Sequence, residues 1–114
     1  MDECIFCKII HRDIKTDFIF EDDKFVVFKD IKPQSPLHLL LVPKKHIESI
    51  NDFDEENEKF LLGVFTIIKK VAEKLGFDKT GYRVVINTGK DAGQEVLHIH
   101  FHILSGRKFS WPPG

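Results

Sequence analysis

Three histidines alternate with apolar residues in "LHIHFHIL", Leu97 to Leu104. In a strand such alternation puts His98, His100 and His102 on one face and Ile99, Phe101 and Ile103 on the other, with successive side chains of one face about 6.6 Å apart. The apolar set belongs to a core, so the imidazoles look toward solvent or a cleft. Two of them can grip one metal ion, but the outer two stand about 13 Å apart along an ideal strand, too far to share one zinc with bonds of about 2.1 Å. The other chemistry open to them is covalent: a neutral imidazole attacks an electrophile while its neighbours orient it and stabilise charge. The preceding loop "NTGKDAGQE", Asn87 to Glu95, suggests the electrophile, because successive amides of such a turn form an anion-binding concavity. A phosphate beside a nucleophilic imidazole is the combination these two segments imply.

The elements that position them are short and closely punctuated. "FIF" (Phe18 to Phe20) and "FVVF" (Phe25 to Phe28) read as a hairpin across "EDDK". "LHLLLV" (Leu37 to Val42) lies between two prolines, and "YRVVIN" (Tyr82 to Asn87) and "LHIHFHIL" complete about five strands. Turns too short for parallel crossovers make the sheet antiparallel. Between the third and fourth strands, Leu61, Val64, Phe65, Ile68, Val71, Ala72 and Leu75 recur at helical spacing. With a cap at Asp54 and a stop at Gly76, one long helix is predicted from about Glu55 to Leu75. Phe60, Leu62 and Ile67 widen its apolar stripe enough to invite a second partner, such as the same helix of another subunit. A shorter helix is predicted over Ile5 to Ile10. The fold class is α+β, in one domain.

The chain has 114 residues, 42% hydrophobic and 31% charged, with a net charge of -1. It is large enough for its own core and lacks the basic excess of a polymer-binding nucleic-acid protein, while a single nucleotide stays possible. The start "MDECIFCKII" has neither the charge pattern of a signal peptide nor the length of a membrane span, so a cytoplasmic protein is expected. There Cys4 and Cys7 are free thiols, a redox pair or metal ligands rather than a structural disulfide.

The run His98-Ile99-His100-Phe101-His102-Ile103-Leu104 matches the His-φ-His-φ-His-φ-φ signature of the histidine triad (HIT) superfamily. With "FKDIKPQSPLHLLLVPKKHI", "GQEVLHIHFHILSGR" and "WPPG", the chain resembles the Hint branch from Cys4 onward. That resemblance implies a single HIT domain over 1–114 with a tail from about 105, paired into a homodimer with a continuous ten-stranded sheet. It implies hydrolysis of purine nucleoside phosphoramidates, such as AMP joined to an amine, through a nucleotidyl-histidine. His100 would attack phosphorus, His102 would bind a phosphate oxygen and help the leaving group, and His98 and His38 would support the site. No catalytic cofactor is implied.

The nucleoside pocket maps by similarity onto Ile5, Phe6, Ile9, Phe28, Asp30, Ile31 and Leu40. Asp30 is suited either to a ribose diol or to turn formation. Asn87 and the turn Gly93, Gln94, Glu95 and Val96 match phosphate-contacting positions. Glu95 replaces a serine of animal members, resembles bacterial ones, and is expected to turn away from the anion. Some similar proteins bind zinc through a pair like Cys4 and Cys7 with the equivalents of His46 and His98, a structural Cys₂His₂ set. The tail would reach the partner's active site with Trp111. Other readings of the same residues are a dinucleoside polyphosphate hydrolase, a nucleotide-binding scaffold with incidental activity, and a zinc hydrolase.

Overall fold

A computed structural model describes residues 4–114. Five strands, β1 (Phe20–Glu21), β2 (Phe25–Lys29), β3 (Leu37–Pro43), β4 (Arg83–Val85) and β5 (Phe101–Ser105), form one sheet in the order β1-β2-β3-β5-β4 with every pair antiparallel. Helix α1 (Ile5–Ile10) precedes the sheet, and a short 3-10 turn (Ile50–Asp52), α2 (Glu55–Phe60) and α3 (Val64–Leu75) fill the link from β3 to β4.

The period of two along β2, β3 and β5 divides the apolar residues between two cores. Phe25, Val27, Leu39, Leu41, Phe101 and Ile103 meet Val64, Ile67, Ile68, Val71 and Ala72 of α3. On the opposite face Val26, Phe28, Leu40 and Val42 meet Phe6 and Ile9 of α1. Each such burial contributes roughly 1.5–3 kcal/mol, so the period fixes which face each histidine occupies. Because α1 has only six residues, it leaves part of its face open as a cleft, and the even-numbered histidines of β3 and β5 lie on this side.

Four element boundaries require correction. The single helix from Glu55 to Leu75 is broken, since Gly63 has φ 92° and separates α2 from α3. A helical pattern reads through a glycine, but the left-handed conformation is nearly free only there. The break leaves Leu62 and Phe65 73% and 75% exposed. The histidine strand starts at Phe101 rather than Leu97, and β4 is shorter than "YRVVIN". His98 and His100 therefore lie just before β5, and neither faces solvent: they are 0% and 8% exposed. The hairpin is present, but β1 begins at Phe20 rather than Phe18.

Candidate active site

A cavity of about 460 Å³ opens between α1, the loop before β3 and the start of β5. It is lined by Ile5, Phe6, Ile9, Phe28, Asp30, Ile31, Leu40, Asn87, Gly93, Glu95 and Val96, together with His38, His100 and His102. The lining combines an apolar set with polar groups and three imidazoles, the mixture typical of a small-molecule site.

The second hydrogen bond of each imidazole decides what its other nitrogen can do. His100 Nδ1 lies 2.8 Å from the main-chain oxygen of His98. A carbonyl only accepts, so Nδ1 carries the proton and Nε2 is left with its lone pair, the form a nucleophile needs. Phe6 packs edge-on against this ring at 5.0 Å. Along the neighbouring strand, the Gln34 N–H donates to His38 Nδ1 at 3.0 Å. His38 must then be protonated at Nε2, which donates to His102 Nδ1 at 2.9 Å. Asp30 Oδ2, 3.4 Å from His38 Nε2, favours the same tautomer. His102 in turn carries its proton on Nε2. Burial lowers the pKa of His38, against the pull of Asp30. It also lowers that of His102 to about 4, helped by His100 and His38. The pair is neutral at pH 7.

Cys4, Cys7, His46 and His98 form a second cluster whose donor atoms all lie within 4.8 Å of one another. His98 Nδ1 is 3.3 Å from Cys4 Sγ and 3.1 Å from His46 Nδ1, and Cys7 Sγ is 3.4 Å from His46 Nδ1. Bonds of about 2.3 Å to sulfur and 2.0–2.1 Å to nitrogen at tetrahedral angles put ligand atoms about 3.3–3.8 Å apart, so this set fits zinc. The ring of His98 is oriented for it: Nε2 donates to the Pro43 carbonyl at 2.7 Å, which turns the Nδ1 lone pair toward the sulfurs. Two thiolates would balance the ion's charge, and His98, fully buried, would serve as ligand rather than face the cavity. Asp30, His38 and His102 also converge closely enough for an ion, but the tautomer imposed by Gln34 places a proton where a metal would bind.

Several expected residues stand elsewhere. Gln94 does not line the cavity: its side chain accepts from the Gly89 N–H and donates to the carbonyls of Glu48 and Val96, closing the loop. The Gly93 and Gln94 amides are likewise bonded to the Lys90 and Gly89 carbonyls, which withdraws two donors from the anticipated concavity. Glu95 is exposed to solvent and stands at the cavity wall. Asp30 Oδ1 accepts from the Lys32 N–H, so this side chain does shape its turn. Trp111 is 81% exposed and is not among the residues that line the cavity. Thr16, Lys29, Lys32 and Gln34 join the lining without having been anticipated. Gln34 acts through a backbone N–H, which has no residue signature.

The chain is similar in sequence and fold to known proteins. A HIT domain model matches residues 11–109. The chain is 44% identical over 106 residues to the purine nucleoside phosphoramidase of Escherichia coli K12, covering 93% of this chain and 89% of that one. It superimposes on a HIT family hydrolase from Legionella pneumophila Philadelphia 1 with a TM-score of 0.94 and 46% identity, over 98% and 100% of the two chains. A histidine triad protein from Clostridium difficile gives 0.90 and 44%, over 96% and 95%. With the triad, its sheet and the domain match all in agreement, this chain belongs to the HIT domain family.

Proposed function

We propose that this protein hydrolyses purine nucleoside 5'-phosphoramidates through a nucleotidyl-histidine intermediate. The observation that carries the reading is the His100 Nδ1 bond to the His98 carbonyl, which leaves Nε2 unprotonated on a residue that lines the cavity of about 460 Å³. The 44% identity to an enzyme named purine nucleoside phosphoramidase supports the substrate class.

The base lies against Ile5, Phe6, Ile9, Phe28, Ile31 and Leu40, and the Asp30 carboxylate, whose oxygens keep acceptor capacity beyond the Lys32 N–H and His38 Nε2, takes the ribose. Asn87 and the amides of Glu95 and Val96 hold the phosphate, which lets the loop work without a side chain at position 95. The His100 Nε2 lone pair forms a bond to phosphorus as the P–N bond breaks. The departing nitrogen takes up a proton from solvent, oriented by the hydrogen bond that His102 Nε2–H donates beside it, and leaves as the amine. Water then attacks phosphorus, the His100 N–P bond breaks, AMP leaves and a proton returns to solvent. Donors preset toward developing charge lower the barrier of both steps.

Zinc on Cys4, Cys7, His46 and His98 has a structural role, tying α1 to the segment that orients His100. A second copy covers the exposed Leu62 and Phe65 and pairs with the three-residue edge strand β4, forming a homodimer with a ten-stranded sheet in which Trp111 shapes the partner's leaving-group pocket. The working compartment is the cytoplasm.

The test is His100→Gly with an AMP–amine substrate. Turnover is expected to fall by at least about a thousandfold, the scale of a lost nucleophile, while AMP binding stays within a few-fold. Mass spectrometry of wild-type protein under neutral quench should find one adenylyl group on His100. Undiminished turnover by the variant would overturn the mechanism, and faster cleavage of diadenosine polyphosphates than of phosphoramidates would overturn the substrate class.

A further inference from the structure

The tautomer of His102 is set by His38, and that of His38 by the backbone N–H of Gln34 at Nδ1, with Asp30 Oδ2 3.4 Å from Nε2 favouring the same form. What holds that amide in place comes from the far end of the chain. Immediately after β5, Gly106 (φ 99°) passes so close to Pro36 that a Cβ built on it would lie 2.8 Å from Pro36 Cβ and 3.1 Å from Cγ. The next residue, Arg107, donates from Nε to the Gln34 carbonyl at 3.2 Å. Its guanidinium is fixed from two further sides, by a bond to the Lys108 carbonyl at 3.2 Å and by the Phe109 ring at 4.3 Å. The turn that leaves the strand bearing His102 therefore docks on the loop that leads into the strand bearing His38.

We propose that Gly106 and Arg107 are positioning residues, which clamp the 33–36 loop so that the Gln34 N–H locks His38, and through it His102, in the Nε2–H tautomer. A Cβ at position 106 must displace Pro36, and the Gln34 amide two residues away moves with it. Loss of that donor leaves only Asp30, at 3.4 Å, to favour the proton on Nε2, so His38 also populates the form with its proton on Nδ1 and Nε2 as an acceptor. His102 then swings or places its own proton on Nδ1, and the cavity loses its Nε2–H donor. Neither Gly106 nor Arg107 lines the cavity, so both act only through the loop. The consequence for catalysis rests on the function proposed above; the tautomer lock does not.

The test labels histidine with ¹⁵N and reads the ring nitrogens of His38 and His102 in the full-length protein by long-range NMR correlations. Wild type is expected to show protonated Nε2 and bare Nδ1 for both. Gly106→Ala and Arg107→Ala are expected to average the two nitrogens of each ring. On an AMP–amine substrate, kcat should fall on the order of tenfold to a hundredfold for Gly106→Ala, as for a misplaced catalytic group, and less for Arg107→Ala, with KM nearly unchanged and Arg107→Lys partly rescuing. Gly76→Ala supplies the control, because Gly76 has a similar φ of 83° but nothing within 4 Å of an added Cβ; its histidine spectrum should be that of wild type. Arg107 is exposed, so its variants fold even if Gly106→Ala does not. Wild-type tautomers in Arg107→Ala and in folded Gly106→Ala overturn the proposal whatever the kinetics. Intact wild-type tautomers without phosphoramidate turnover instead overturn the functional reading alone.

Discussion

The main-chain carbonyl of His98 accepts the Nδ1–H of His100 at 2.8 Å, while the side chain of the same His98 points its Nδ1 at Cys4 Sγ, 3.3 Å away. One residue thus joins the two clusters: its ring belongs to the candidate metal centre and its backbone orients the candidate nucleophile. Disturbance of the cysteine cluster is therefore transmitted to the cavity over a single residue.

Metal analysis of purified protein should find one zinc per chain. Cys7→Ala should abolish that stoichiometry and lower the melting temperature by several degrees, since a lost ligand leaves buried polar donors unpaired. Retention of both full zinc and full stability would contradict a metal role for Cys7.

Replacing His102 with Ala should slow phosphoramidates with basic amines on the order of 10²–10⁴-fold. A substrate such as AMP imidazolide, whose leaving group needs less assistance, should be affected much less. Equal losses on both substrates would show that His102 serves binding rather than departure of the amine.

Stability should fall with acid. His102 has its pKa lowered to about 4 by burial and by His100 and His38, so between that value and an unfolded-state pKa of about 6.5 the unfolded chain binds more protons. The contribution is complete above about pH 6.5 and is lost as pH falls toward 4, on the order of 2 kcal/mol after allowance for partial exposure. Urea titrations from pH 7 to 4.5 should show this slope, and it should be shallower in His102→Gln.

Gly63→Ala should destabilise by about 1 kcal/mol or more, because φ 92° is unfavourable for alanine. The naive helical expectation is the reverse, a gain from removing a mid-helix glycine. Thermal melts of the variant distinguish the two signs directly.

Phe65→Glu should leave the fold intact, since that ring is 75% exposed in the single chain. If a second copy covers it, sedimentation velocity will show the variant as a monomer at concentrations where the wild type is a dimer. A wild-type monomer would remove the basis for the ten-stranded sheet.

The chain order itself determined a good part of this protein. The two-residue period of Ile99, Phe101 and Ile103 assigned the histidines to the opposite face, because hydrophobic burial selects a face and the pleat enforces the alternation. The spacing of Cys4 and Cys7 left free thiols, a redox pair and metal ligation open, whereas the apolar stripe marked the helix that covers the sheet. Tertiary structure alone decided which nitrogen of each imidazole holds a proton, since that depends on the Pro43 and His98 carbonyls and the Gln34 amide. Backbone groups are the same at every position, so no residue type announces them. For the same reason the break at Gly63, the closed hydrogen bonds of Gln94 and the approach of Gly106 to Pro36 became visible only once distant segments met.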